Sequence, residues 1–138
     1  MKNIAIFASG NGSNAENITN YFENHTDIKV SCFLCNNPNA GVINRAQRLG
    51  IPCLVFSRDE LNNSTRIIDF LRKHDVCYIV LGGFLLLLPS SITDIYCERI
   101  VNIHPSLLPK FGGKGMYGER VHEAVIAAGE KESGITIH

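Results

Sequence analysis

An asparagine and a histidine separated by a single residue, Asn102 and His104, are well placed to do chemistry in this 138-residue sequence. They end an apolar run, Ile100–Ile103, that reads as a buried strand and stops at Pro105, which cannot donate to a sheet. Side chains two apart on a strand share a face, about 7 Å apart. A carboxamide donor beside an imidazole suits a reaction with a tetrahedral oxyanion intermediate. A structural histidine at a strand end is the alternative.

A glycine-rich turn, Gly10-x-Gly12-x-x-Ala15, lies between a predicted strand and a predicted helix. Such glycines let the main chain approach a phosphate, which the N–H groups of the helix N-terminus then bind. A dinucleotide site would also need an acidic side chain near the end of the second strand, to hold the ribose. That strand ends instead at Asn36 and Asn37. The turn therefore favours a monophosphate site, and a purely structural turn is the alternative.

Four consecutive leucines, Leu85–Leu88, follow two glycines at the end of another predicted strand. In parallel sheets the carboxyl ends of the strands are where ligands bind, so the leucines are expected near Asn102 as an apolar lining. Packing in the core beneath a helix is equally compatible with such a run.

Alternating strand and helix patterns predict the elements that position these residues. Apolar strands are expected at 4–8, 28–34, 52–56, 76–81 and 100–103, with a further strand beginning at 135–138. The apolar residues of the predicted helices are Ala15, Ile18, Tyr21 and Phe22; Val42, Ile43, Ala46 and Leu49; Ile67, Ile68 and Leu71 within 61–73; Ile92, Ile95 and Tyr96; and Val121, Ala124, Val125 and Ala128. This order predicts an α/β fold, with three α-β-α layers around a mostly parallel, Rossmann-like sheet, in a single domain over 1–138.

Charge and composition argue against several function classes. The 13 basic and 13 acidic residues balance, so we expect no nucleic-acid partner. The longest apolar region, 76–88, is too short to span a bilayer, and no secretory signal is recognisable, so we expect no membrane partner. Five cysteines without framework spacing indicate reduced thiols and a cytoplasmic location. Cys32 and Cys35 would face opposite sides of a strand, so no metal site is predicted.

The string Asn-Ile-His-Pro-Ser-Leu-Leu-Pro at 102–109 resembles the signature of the folate-dependent formyltransferases. Residues 8–14 are similar to that family's amino-terminal loop, and 134–138 to the start of its third motif. Within the family, the sequence most resembles the members that act on glycinamide ribonucleotide. The resemblance implies transfer of a formyl group from 10-formyltetrahydrofolate, as cosubstrate, to the amine of glycinamide ribonucleotide in purine biosynthesis.

The resemblance also implies roles for individual residues. Asn102 and His104 would be catalytic. The phosphate of glycinamide ribonucleotide would be held by Gly12, Ser13 and Asn14, and folate would contact Leu85, Leu86, Leu87, Leu88 and Asn102. Some members carry a basic residue among these leucines, so folate contacts here are expected to be more apolar or made through the main chain.

The family's sequences continue past the position that matches His138. Its third catalytic group, an aspartate that orients the histidine, lies in that continuation. We therefore expect a chain that is incomplete at the C-terminus and lacks the last strands of the sheet, so that its activity is in question. The glycine-rich loop at 111–118 is expected to be either a flap over the active site or a disordered surface loop. A homodimer is possible.

Three alternatives remain at this stage. A sister formyltransferase would act on an amino sugar or on methionyl-tRNA, although balanced charge argues against tRNA. A domain that has lost its carboxy-terminal half would bind the nucleotide phosphate without catalysis. A dinucleotide oxidoreductase is disfavoured because the ribose-binding carboxylate is missing.

Overall fold

The computed structural model describes residues 2–103, which form five strands and five helices. The predicted features that lie outside the described residues are His104, the loop at 111–118, the helix at 121–128 and the strand at 135–138. The elements are β1 (Lys2–Ala8), α1 (Ser13–Tyr21), β2 (Ile28–Cys35), α2 (Gly41–Leu49), β3 (Cys53–Val55), α3 (Arg58–Asn63), α4 (Thr65–Lys73), β4 (Val76–Gly82), α5 (Ser90–Thr93) and β5 (Ile100–Ile103).

The strands form one sheet in the order β3-β2-β1-β4-β5, and every neighbouring pair is parallel. The chain therefore builds outward from β1 to β3, crosses back, and builds outward again from β4. The predicted α/β fold with a parallel sheet is confirmed. The reversal lies between β1 and β4, and ligands of open α/β sheets bind in the crevice outside the strand ends at such a point.

Helices cover both faces of the sheet. Successive side chains of a strand point to opposite faces, so the apolar strands have side chains to bury on both. In β1, Ile4 and Ile6 belong to the apolar cluster that packs against α1 and α2. Ala5 and Phe7 belong to a second cluster, which packs against α3, α4 and α5. Because both faces are covered, the strands are apolar over most of their length, and this is why sequence patterning identified them.

The single helix predicted over 61–73 is wrong, because two helices occupy this segment. The first begins earlier, where Ser57 and Glu60 form a capping box: each side chain accepts a hydrogen bond from the other's main-chain N–H. The helices break at Ser64, whose φ of 63° is left-handed. Ser64 is buried, and its hydroxyl lies 2.7 Å from the Ser91 hydroxyl. Helical spacing of apolar residues persists across the break, so the pattern alone does not reveal it.

Two of the apolar residues assigned to the predicted helices are exposed. Tyr21 ends α1 with 49% of its surface exposed, while its neighbour Phe22 takes the buried position. Ile95 is 46% exposed, because α5 ends at Thr93 and the chain continues as a turn. Over residues 2–103, none of the helices has the length and apolar character needed to cross a membrane.

Candidate active site

The candidate site lies at the carboxyl edge of the sheet, where β1, β4 and β5 end side by side. The glycine loop, which we define as residues 9–14, follows β1, and the leucine loop, residues 83–88, follows β4. Asn102 lies beside Leu81 in the register between β4 and β5, one residue before the end of β5. The topology thus brings three separate sequence features to one edge.

The glycine loop is fixed by its packing against the start of α2. Gly12 has a left-handed φ of 80°, and a Cβ added to it would lie 2.5 Å from Cγ2 of Val42. The Val42 N–H donates to the Gly10 carbonyl oxygen at 3.1 Å. Asn11 Oδ1 accepts a hydrogen bond from the Ser13 N–H at 2.9 Å. Glycine is therefore required at position 12 on structural grounds, whatever the loop binds.

An ion-pair cluster joins α1 to α2 directly behind the glycine loop. Glu16, in the first turn of α1, pairs with Arg45, and with Arg48 at 2.6 Å. Hydrogen bonds from Arg48 and then Arg45, with their charges, lower the pKa of Glu16 to about 2. The Arg45 Nε also donates to the main-chain oxygen of Asn11 at 2.5 Å. The cluster therefore holds the loop as well as the two helices.

Asn14, in the glycine loop, lies close to the end of β4. A Cβ added at Gly82 would lie 3.6 Å from the Asn14 Cβ, so this side chain packs over the end of β4. Asn14 is half-buried, whereas Ser13 is exposed at the N-terminus of α1. The predicted phosphate-binding residues therefore lie directly beside the strand that leads into the leucines.

The four leucines divide into two pairs. Leu85 and Leu87 are 82% and 89% exposed, whereas Leu86 and Leu88 pack against the core. All four line a pocket of about 280 Å³, together with Leu81, Phe84, Thr93 and Asn102. The run is therefore not simply core, which was the alternative to a ligand lining. The predicted folate residues share one pocket with Asn102, while His104 lies outside the described residues.

Comparison with known proteins shows the family to which the chain belongs. The formyl transferase family model matches residues 2–138. This chain belongs to the formyl transferase family.

Among curated relatives, the chain is 39% identical to a chloroplastic phosphoribosylglycinamide formyltransferase of Arabidopsis thaliana, with 99% of this chain and 49% of the relative aligned. It is 40% identical to the Bacillus subtilis phosphoribosylglycinamide formyltransferase, with 100% and 71% aligned. The chain thus spans about half the length of the plant relatives it matches. A crystal structure of glycinamide ribonucleotide transformylase 1 from Geobacillus kaustophilus superposes with a TM-score of 0.71, at 34% identity over 89% of this chain and 68% of that one.

Sequence reasoning missed a buried polar group in this member of the formyl transferase family. Ser9 is 6% exposed, and its hydroxyl donates to Asn36 Oδ1 at 2.6 Å and accepts from the Leu85 N–H at 3.0 Å. In the sequence, Asn36 was identified only as a residue that stands where a dinucleotide site needs a carboxylate. The available signal was a polar side chain directly after each of two predicted strands. Because buried polar groups need partners, this pair could have predicted a hydrogen bond between Ser9 and Asn36.

Two of the five cysteines, Cys32 and Cys35, are buried in the core. Cys32 and Cys35 pack on opposite faces of the sheet, as predicted. Burial raises the pKa of the Cys32 thiol to about 12, and it also raises that of Cys35. Both therefore stay protonated and unreactive at neutral pH. Among residues 2–103, no group of three or more histidine, cysteine or acidic side chains is arranged to hold a metal ion.

Proposed function

We propose that this formyl transferase moves a formyl group from 10-formyltetrahydrofolate to the amine of glycinamide ribonucleotide, a step of purine biosynthesis. One observation carries the proposal: the glycine loop and the leucine-lined pocket lie at the same edge of the sheet, and Asn102 lines that pocket. The names of the aligned relatives, both phosphoribosylglycinamide formyltransferases, support the same acceptor.

The two loops offer different chemistry, which suits two substrates of different character. The glycine loop presents an exposed serine at the N-terminus of α1, where the positive end of the helix dipole favours a phosphate. We assign the ribonucleotide phosphate to Gly12, Ser13 and Asn14. The leucine loop presents an apolar lining, and we assign the flat rings of the folate to Leu85–Leu88.

The reaction joins the amine to the formyl carbon and breaks the bond from that carbon to N10 of the folate. Attack by the amine nitrogen forms a tetrahedral intermediate whose oxygen carries the negative charge. We assign the Asn102 carboxamide to donate a hydrogen bond to that oxygen. His104 would move the proton that the amine loses toward N10 as the intermediate collapses. The products are formylglycinamide ribonucleotide and tetrahydrofolate.

The dinucleotide alternative is weakened by the surroundings of Asn36. A dinucleotide site needs a carboxylate at the end of β2 to hold the ribose, whereas Asn36 carries a carboxamide whose Oδ1 accepts a hydrogen bond from the Ser9 hydroxyl at 2.6 Å. The non-catalytic alternative keeps the phosphate site and predicts binding without turnover. We further propose a cytoplasmic location, small-molecule partners and possible pairing of two chains.

The test is an acceptor screen with 10-formyltetrahydrofolate, on this chain and on a version extended to the length of its relatives. We expect formylated glycinamide ribonucleotide and no product from an amino sugar or methionyl-tRNA. Asn102→Ala should lower kcat by roughly 10²- to 10³-fold. Asn62→Ala, which changes an exposed asparagine on α3, is the matched control and should leave kcat unchanged.

Product from another acceptor, with none from glycinamide ribonucleotide, would overturn the substrate assignment. Binding of glycinamide ribonucleotide without turnover in both versions would favour the non-catalytic alternative. Turnover that survives Asn102→Ala unchanged would remove Asn102 from the mechanism.

A further inference from the structure

Ser9 lies where the ends of three adjacent strands come together. It directly follows β1, and its own N–H donates to the Gly83 carbonyl oxygen at 3.2 Å, which continues the β1–β4 pairing past the ends of the strands. Its hydroxyl reaches Asn36, which directly follows β2, and Leu85, in the leucine loop. One buried residue thus touches the turns after β1, β2 and β4.

The two hydrogen bonds of the Ser9 hydroxyl depend on each other. A hydroxyl has a single proton to donate, and here it goes to Asn36 Oδ1 at 2.6 Å. The oxygen lone pairs are thereby turned toward the Leu85 N–H, which donates at 3.0 Å. Asn36 therefore orients the hydroxyl, and the hydroxyl in turn holds the main chain of the leucine loop.

The side chain of Leu85 does little to fix this point of the loop, because 82% of its surface is exposed. Phe84, the residue before it, packs at the base of the loop, with its ring centroid 5.3 Å from that of Phe7. Beyond that anchor, the main-chain bond to Ser9 sets where the exposed part of the loop begins.

We propose that Ser9 is a positioning residue that holds the leucine loop in the position that folate binding requires. Asn36 orients the Ser9 hydroxyl, and the hydroxyl in turn holds the Leu85 main chain. This inference rests on the proposed function, because it takes the leucine loop to be the folate side of the site. The glycine loop has its own supports from α2, so Ser9 governs folate binding far more than binding of the ribonucleotide.

The experiment compares Ser9→Ala with the wild-type chain by two readouts. Hydrogen exchange at the Leu85 amide reports the tether itself, and calorimetry gives separate Kd values for tetrahydrofolate and glycinamide ribonucleotide. In Ser9→Ala we expect Leu85 to exchange about tenfold faster and the folate Kd to rise about threefold to thirtyfold. The ribonucleotide Kd should stay within about twofold.

Two variants of Asn36 test whether this residue orients the Ser9 hydroxyl, and they leave Ser9 itself unchanged. Asn36→Asp keeps an oxygen acceptor for the hydroxyl and should restore near wild-type exchange at Leu85. Asn36→Ala removes the acceptor and should give an intermediate rise in exchange and in folate Kd. Ser31→Ala is the matched control, since Ser31 is a half-buried serine on β2 whose hydroxyl makes a long bond of 3.4 Å to the Ile4 carbonyl oxygen.

Equal Leu85 exchange and equal folate affinity in wild type and Ser9→Ala would overturn the inference. So would an equal loss of affinity for both ligands, because that indicates general loosening of the sheet edge. A wild-type chain that binds neither ligand would count against the proposed function. The Leu85 exchange would then still decide whether the tether exists: faster exchange in Ser9→Ala supports it, and unchanged exchange overturns it.

Discussion

The two loops at the sheet edge are built in opposite ways. The glycine loop is held from several sides: Val42 packs against it, Arg45 donates to its main chain, and the Asn11 side chain accepts a hydrogen bond from the Ser13 N–H. The leucine loop is anchored at its base by Phe84, and Leu86 and Leu88 pack against the core, but Leu85 and Leu87 face solvent. One loop is preformed by the fold, and the other has side chains ready to be covered.

This difference follows the chemistry that each loop is assigned. A phosphate is recognised by donors at fixed positions, and a loop that is already ordered loses little conformational entropy on binding. An apolar ring system is recognised mainly through buried area, which exposed leucines can supply on contact. Substitutions at packed positions of the glycine loop, such as Gly12, should therefore cost stability, and substitutions at the leucine tip should cost ligand affinity.

The largest expected effect is at the base of the leucine loop. Phe84→Ala should lower the free energy of unfolding by about 3–5 kcal/mol, because a buried ring that packs against Phe7 and Phe56 is lost. Leu87→Ala, at the exposed tip, should change it by less than about 0.5 kcal/mol. Urea denaturation measures both. Equal losses in the two variants would show that the tip is part of the core.

Gly12→Ala should lower the free energy of unfolding by about 2–4 kcal/mol. The new alanine would have to adopt a left-handed φ, and its Cβ would collide with Val42. Gly10→Ala is the matched comparison in the same loop, because a Cβ there meets nothing within 4 Å. Thermal and urea unfolding of the pair should separate them clearly. A stable Gly12→Ala protein would mean that the glycine loop is less constrained than its packing indicates.

Leu85→Ser with Leu87→Ser should weaken tetrahydrofolate binding by about tenfold while leaving the urea midpoint unchanged. Both side chains are already exposed, so folding loses little, whereas a bound ring system would lose apolar contact. The ribonucleotide Kd serves as the internal control. An unchanged folate Kd would separate the exposed leucines from the ligand site.

The smallest expected effect is a pH dependence of the glycine-loop support. The pKa of Glu16 is lowered from its ordinary value of 4.5 to about 2 by Arg48 and Arg45, so the folded state releases this proton more readily than the unfolded state. The stabilisation is fully present above about pH 4.5 and disappears as the pH falls toward 2. Urea midpoints across this range should therefore fall less steeply in Glu16→Gln than in wild type. Parallel curves would remove Glu16 from the acid response.

Much of the fold could be read from the sequence because the sheet is covered on both faces. Strands such as Ile4–Ala8 are apolar throughout, and a glycine turn or a helical pattern follows each of them. The edge that carries the site follows from the parallel order. The break at Ser64 could not be read, because a left-handed serine depends on the hydroxyl of Ser91, 27 residues away.

The site was predictable where it depends on local pattern and unpredictable where it depends on tertiary contact. The glycine spacing and the leucine run are visible in the sequence, so their meeting at one edge could be expected. The steric need for glycine at position 12 comes from Val42 on another helix, and the orientation of the Ser9 hydroxyl comes from Asn36 in the turn after another strand. Such partners are fixed only when the chain has folded.

The most direct test of the account is to map both ligands on the ¹⁵N-labelled chain by amide chemical shifts. Glycinamide ribonucleotide should shift the amides of residues 10–14, tetrahydrofolate those of residues 83–88, and both should shift Asn102. This readout needs no turnover, so it tests the site independently of catalysis. Shifts confined to the opposite edge of the sheet, or identical shifts from the two ligands, would contradict a site with two distinct loops.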